Sequence, residues 1–199
     1  MTFVHPTDVT VAVLAGGKSS RMGREKSFVP LKGKPMIAHT LARVQQLNLP
    51  VIVITNQPDS FRQFKLPLYG DVQPLRGSLV GLHAALYHSR ADYTLCVACD
   101  MPLLNVDLLR QQIMLREGHD AVVPMPAGRA EPLHALYHRR CLRVMERQLQ
   151  NGEMHITRLY QHLNVRYVSE SEIRVFDPEL RSFTNANTPQ ELAAIEALL

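Results

Sequence analysis

The feature that most constrains this chain is its repeated change of hydrophobic period, from short β-rich runs to stretches of helical spacing and back. VAVLA (Val11 to Ala15), VIVIT (Val51 to Thr55) and YTLCVA (Tyr93 to Ala98) are too short for helices and too apolar to have a wet face. They read as buried strands. Pro35 to Leu47 reads as a helix with Pro35 at its first position and Ile37, Leu41 and Val44 in one stripe. A second helix is expected from about Leu79 to Ser89, with Ser78 as N-cap and Leu79, Leu82 and Leu86 facing inward. Strands alternating with helices at this spacing predict βαβ units and a mainly parallel sheet.

The rest of the chain continues in kind. A brief helix is expected over residues 58 to 64 and a short strand from Leu66 to Tyr69. Asn105 can cap a helix whose apolar face is Val106, Leu109 and Ile113. Asp120 to Pro124 and Pro132 to Tyr137 read as strands, and His138 to Gln150 as a helix closed by Asn151-Gly152. Ile156, Leu159, Tyr160 and Leu163 have helical spacing, whereas Val165 to Val168 and Ile173 to Phe176 read as short strands. Thr188-Pro189-Gln190-Glu191 is a capping box opening a last helix with Leu192, Ile195 and Leu199 in its stripe. A length of 199 residues suits one domain with a sizeable core. No repeat or long linker divides it, and the breaks around Pro124 to Gly128 read as an internal loop. The predicted class is α/β, a single-domain three-layer α/β/α arrangement.

In an open α/β sheet, ligands collect outside the carboxyl ends of the strands. The polar residues of this chain fall there: Gly16 and Gly17 after the first strand, Asn56 after VIVIT, Asp71 after the third run and Asp100 after YTLCVA. The first of these loops interleaves Gly16, Gly17 and Gly23 with Lys18, Ser19, Ser20, Arg21, Arg24 and Lys26. Glycine lets backbone N–H groups approach anionic oxygens closely, and the cations match the charge. A phosphorylated ligand, and above all a nucleotide, fits such a loop. Asp100 reads either as a turn residue before Pro102 or as a metal ligand, and spacing does not separate the two. Asn56 and Asp71, each taken singly, read as turn residues. Taken together, a phosphate loop, a strand-end carboxylate and cations at one edge describe a nucleotide–Mg²⁺ site, because Mg²⁺ takes one or two carboxylates plus substrate phosphates.

Several other chemistries are excluded. The NTPase loop G-x-x-x-x-G-K-[ST] would place its first glycine at position 12, where Ala12 stands, and G-x-G-x-x-G fails because Gly16 and Gly17 are adjacent. Cys96 and Cys99 lie three apart on a strand and point to opposite faces, so they do not make a ligand or redox pair. The nine histidines are scattered and read as surface or packing residues. A formal charge of +4 suits anionic small molecules, but no dense basic run with aromatics points to nucleic acid. No apolar stretch approaches the roughly 20 residues of a membrane helix. MTFVHPTDV carries no cationic-then-apolar leader, and three sparse cysteines fit a reducing compartment, so a cytoplasmic location is expected.

Leu14-Ala15-Gly16-Gly17, Ser19, Arg21-Met22-Gly23 and Lys26 resemble the signature of the nucleotidyltransferases with a glycosyltransferase-A-like fold. The second glycine of LAGG is most similar to the molybdenum cofactor guanylyltransferase branch. The resemblance runs along nearly the whole chain. Asp71 followed by Gly77-Ser78-Leu79-Val80-Gly81 resembles the family's acid and its G-P-L-A-G element, with Ser78 and Val80 in place of proline and alanine. Cys99-Asp100-Met101-Pro102 resembles its metal segment, and Pro132-Leu133-His134-Ala135-Leu136-Tyr137 its P-L-x-A-L-Y strand. Asn185-Ala186-Asn187-Thr188-Pro189-Gln190-Glu191-Leu192 is similar to its closing N-x-N-T-P-x-E-L. Glu25 stands where the family usually has aspartate.

That resemblance implies transfer of GMP from GTP to Mo-molybdopterin, giving a guanine dinucleotide cofactor and pyrophosphate, with Mg²⁺ as cofactor. It implies Arg21, Lys26 and Asp100 as catalytic residues, and Asp100 as metal ligand. Leu14, Ala15, Gly16, Gly17, Lys26, Asn56, Asp71 and Asp100 would contact the nucleotide, and Asn185 and Asn187 would serve the metal or acceptor side. A nucleotide half over residues 9–103 and an acceptor half over 104–199 follow. GTP and Mo-molybdopterin are the implied substrates, with transient contacts to cofactor-delivery proteins or molybdoenzymes, and no nucleic-acid or membrane partner. Two alternatives stay open: CTP on molybdopterin or an NTP on a sugar or polyol phosphate, and a nucleotide-binding cofactor-delivery module without catalysis.

Overall fold

The computed structural model describes residues 8–16, 26–186 and 188–199. Its strands are β1 (Val9–Leu14), β2 (Pro30–Leu31), β3 (Lys34–Pro35), β4 (Val51–Ile54), β5 (Leu68–Tyr69), β6 (Tyr93–Ala98), β7 (Ala121–Pro124), β8 (His134–His138) and β9 (Val165–Val168). The α-helices are α1 (Met36–Val44), α2 (Pro58–Phe61), α3 (Ser78–His88), α4 (Val106–Met114), α5 (Leu142–Gln150), α6 (Glu170–Arg174) and α7 (Pro189–Leu198). A seven-stranded sheet runs β5-β4-β1-β6-β8-β7-β9. β1 pairs in parallel with β4 and β6, β4 with β5, and β7 with β9. Only β8 among these seven runs the other way, antiparallel to both β6 and β7.

Side chains alternate across a strand, so β1 feeds two cores. Val9, Val11 and Val13 pack on one face with Ile37, Leu41 and Val44 of α1 and Leu108, Leu109 and Ile113 of α4. Ala12 and Leu14 pack on the other with Leu79, Leu82 and Leu86 of α3 and Met145 and Leu149 of α5. These are the three layers expected, and helices cover both faces as a mainly parallel sheet requires. Helix α3 lies tight against the end of β1: a Cβ on Gly81 would sit 3.2 Å from Leu14 Cδ2. Cys96 belongs to the second core, whereas Cys99 packs against the first, so the two thiols do not converge.

Three local expectations are corrected. Pro35 is the N-cap of α1 and closes β3, one residue earlier than the first helical position. Ser78 is the first residue of α3 and makes no capping bond; Gly77, at φ 142°, is the N-cap because it alone accepts the backbone turn that enters the helix. Ile173 to Phe176 is not a strand. Ser169 and Glu172 form a reciprocal capping box that starts α6 ahead of it, and Ile173 is buried from the helix. Asn105 does cap α4, accepting from the N–H groups of Asp107 and Leu108, and Thr188 with Glu191 caps α7.

Candidate active site

The parallel arrangement of β5, β4, β1 and β6 brings the polar strand ends to one edge. The carbonyl of Leu14 accepts from Cys99 N–H at 3.0 Å, and Ala15 N–H donates to the carbonyl of Ile54 at 2.9 Å. The backbones after β1, β4 and β6 are therefore stitched together where their strands stop. Gly16 is exposed just beyond them. Gly17, Arg21 and Asn187 lie outside the described residues.

Lys26 opens a 3-10 turn, Lys26–Phe28, and its Nζ pairs with the Asp100 carboxylate. Both side chains are about four-fifths removed from solvent, at 18% and 21% exposure, where water screens a pair far less than at the surface. The segment carrying Asp100 is held from three sides. Thr40 Oγ1 donates to the Cys99 carbonyl at 3.0 Å, Ser27 Oγ lies 3.3 Å from Cys99 Sγ, and Cys99 N–H is fixed on β1. Asp100 is more than a turn residue before Pro102: it faces a lysine that is 74 positions away in sequence.

On the outer strands, Asn56 and Asp71 meet as a pair. Asn56 Nδ2 donates to Asp71 Oδ2 at 2.7 Å, and Asp71 N–H donates to Asn56 Oδ1 at 2.9 Å. Neither is an isolated turn residue. The structure joins β4 to β5 through them.

One residue escaped the sequence reading. Because β8 is reversed, its N-terminal flank lies at the same edge as the C-terminal ends of its neighbours. Ala98 N–H donates to the Leu133 carbonyl at 2.9 Å, and Glu131 N–H donates to the Pro124 carbonyl at 3.0 Å. The half-buried Glu131 carboxylate accepts from Leu133 N–H at 3.3 Å and lies close enough to Asp100 to feel its charge. Burial, together with Asp100 and against the Leu133 bond, holds the Glu131 carboxyl above its usual range. A strand direction, which periodicity does not report, was the missing signal.

Asn185 sits beside Ala186, which packs with Leu31, Met36, Leu103 and Ile195, so the closing segment docks next to the Asp100–Leu104 turn. Its Oδ1 is buried without a hydrogen-bond partner among the described residues. No group of three or more His, Cys, Asp or Glu side chains among the described residues could cage a metal. Asp100 supplies hard carboxylate oxygens, and the Glu131 charge lies within its electrostatic reach, which fits Mg²⁺ completed by phosphates and suits softer metals poorly.

Residues 11–167 match the family described as MobA-like NTP transferase domain. The chain belongs to that family. It is 40% identical over 193 residues to a molybdenum cofactor guanylyltransferase of Desulfosudis oleivorans, covering 96% of each chain. A probable molybdenum cofactor guanylyltransferase of Clostridium perfringens is 33% identical, over 92% of this chain and 93% of that one. Among solved structures, molybdopterin-guanine dinucleotide biosynthesis protein A from Archaeoglobus fulgidus superposes with a TM-score of 0.83 at 31% identity, over 95% of this chain and 97% of that one. A 4-diphosphocytidyl-2C-methyl-D-erythritol synthase from Anaerococcus prevotii shares the fold at a TM-score of 0.73 and 11% identity, over 96% and 97%. The resemblance read from LAGG to N-x-N-T-P is thus borne out, and the α/β nucleotidyltransferase fold with it. No helix of the described residues is long and apolar enough to cross a membrane.

Proposed function

We propose that this chain transfers GMP from GTP to the terminal phosphate of Mo-molybdopterin and releases pyrophosphate. The observation that carries the reading is the Lys26–Asp100 pair, held at the edge where β1 and β6 end, in a chain so similar to guanylyltransferases. Phosphoryl transfer of this kind needs positioning and charge neutralisation more than covalent chemistry.

The acceptor phosphate attacks the α-phosphorus in line as pyrophosphate leaves. The backbone stretch Leu14 to Gly17 contacts the nucleotide beyond the bond that Ala15 N–H gives to the Ile54 carbonyl. Asn56 and Asp71 contact it from the ends of β4 and β5, and Arg21 and Lys26 balance phosphate charge. Asp100 would hold Mg²⁺, with the Glu131 charge in electrostatic reach, and the ion supplies Lewis-acid neutralisation of the phosphate oxygens when bound. Asn185 and Asn187 serve the acceptor. The nucleotide half then covers residues 9–103 and the acceptor half 104–199, and the reaction is placed in the cytoplasm.

The test supplies Mo-molybdopterin and Mg²⁺ with GTP, CTP or ATP in turn and measures pyrophosphate and dinucleotide. GTP alone should support turnover. Preference for CTP would replace the proposed base, and nucleotide binding without pyrophosphate release would replace the enzyme with a delivery module.

A further inference from the structure

The two bonds between Asn56 and Asp71 fix more than their separation. A backbone N–H can only donate, so the Asn56 atom facing Asp71 N–H is the oxygen, and the amide nitrogen is thereby turned to the carboxylate. One amide hydrogen of Asn56 and the second carboxylate oxygen of Asp71 take no part in these two bonds. Anything that turned the Asn56 amide or lifted Asp71 would scramble that donor–acceptor pattern.

Two neighbours guard it. His88, the last residue of α3, places Nε2 at 3.2 Å from the Gly70 carbonyl. A carbonyl only accepts, so Nε2 carries the proton. The ring is stacked on Tyr69 at 4.5 Å and 13°, and Tyr69 is itself tied to β4 by Thr55 N–H at 2.7 Å. The peptide leading into Asp71 is thus clamped from the helix layer. At Gly70, φ lies outside the left-handed region, so backbone conformation does not demand glycine. Space does: a Cβ there would meet Asn56 Oδ1 at 3.1 Å, tighter than side chains ordinarily approach, and the amide is pinned by both its bonds.

We propose that His88 and Gly70 are positioning residues for the nucleotide side: His88 clamps the peptide before Asp71, and the bare Cα of Gly70 gives the Asn56 amide the room to hold it. The role rests on the reading that Asn56 and Asp71 face the nucleotide, and the test separates the two. His88→Phe keeps a ring on Tyr69 but has no donor, and His88→Gln restores a donor. Affinity for GTP is measured by calorimetry without acceptor, beside kcat at saturating GTP and thermal midpoint. His88→Phe and Gly70→Ala should weaken GTP binding about three- to tenfold, as loss of one hydrogen bond does. Turnover at saturating GTP should stay within about twofold, and His88→Gln should recover most of the affinity, which a purely structural role would not produce. Wild-type GTP affinity in His88→Phe, while Asp71→Ala loses it, overturns the positioning role alone. Wild-type affinity in Asp71→Ala overturns the reading of the pair and this role with it.

Discussion

The two sides of the site edge are built on opposite principles. On the side of β1, β4, β5 and β6, polar groups are matched to one another by the protein: Lys26 with Asp100, Asn56 twice with Asp71, Thr40 with the Cys99 carbonyl. On the side of β8 and the closing segment they are left costly. Glu131 is held above its usual range by burial, Asn185 Oδ1 has no partner among the described residues, and neither ring nitrogen of the fully buried His134 has one. Desolvation that the protein's own bonds do not offset is unfavourable, and a donor or cation reaching the Glu131 carboxylate or Asn185 Oδ1 would regain part of it. The first side is thereby satisfied within the protein, whereas the second carries polar groups that the protein itself leaves short of partners.

The sharpest way to break the contrast is to remove the matched charge. Asp100→Ala should fold with a thermal midpoint near wild type yet lose turnover by about 10³-fold, roughly 4 kcal/mol of transition-state stabilisation. Pyrophosphate release at saturating GTP and Mg²⁺ measures it. Turnover within tenfold of wild type would take Asp100 out of the chemistry.

On the costly side, the largest effect belongs to stability. Burial drives the His134 ring down to about 4, outweighing the opposing pull of its own backbone and of the Asp177 charge. The folded form therefore keeps the ring neutral while the unfolded chain takes up a proton near pH 6.5. The sign follows: stability is fully present above about 6.5 and is lost as pH falls toward about 4, by about 3 kcal/mol over that window. His134→Leu, which seats an apolar side chain against Phe183, should flatten the dependence of the thermal midpoint on pH between those limits. Parallel curves for the two proteins would show that the ring finds a partner.

Glu131 lies where the two sides meet. Glu131→Gln keeps an oxygen for Leu133 N–H and deletes the charge beside Asp100. Coulomb attraction for a divalent ion falls accordingly, and the half-saturating Mg²⁺ concentration should rise about tenfold. An unchanged Mg²⁺ requirement would make Glu131 a purely structural acid that shapes the turn into β8.

What the sequence disclosed follows the same division. The strand ends Leu14, Asn56, Asp71 and Asp100 were legible because parallel strands all stop at one edge, so a list of strand-end residues is already a map of that side. That Asn56 and Asp71 pair, and that Lys26 reaches Asp100, depends on which strands are neighbours, which hydrophobic period does not encode. Glu131 was invisible because it precedes its strand, and only the reversal of β8 carries it to the edge. The stretch Ile173 to Phe176 misled for a local reason. Its apolar alternation looks extended, but Ser169 and Glu172 satisfy each other's backbone groups and nucleate a helix first.

That capping box gives the smallest and cleanest test of where the costly side ends and plain scaffold begins. Ser169 Oγ accepts from Glu172 N–H at 3.4 Å, and Glu172 Oε2 accepts from Ser169 N–H at 2.9 Å and from Ser169 Oγ at 2.7 Å. The Arg166 guanidinium and these Ser169 bonds hold the Glu172 carboxyl down to about 2. Its contribution is therefore present above the usual carboxylate range and lost as pH falls toward about 2. Ser169→Ala should cost about 1 kcal/mol, because one orphan N–H loses its acceptor while the partly exposed Arg166 pair stays in place. Urea unfolding measures it, and kcat and GTP affinity should not move. A change in turnover from so distant a cap would mean that α6 is coupled to the site edge through β7 and β9, and the boundary between scaffold and site would have to be redrawn to include them.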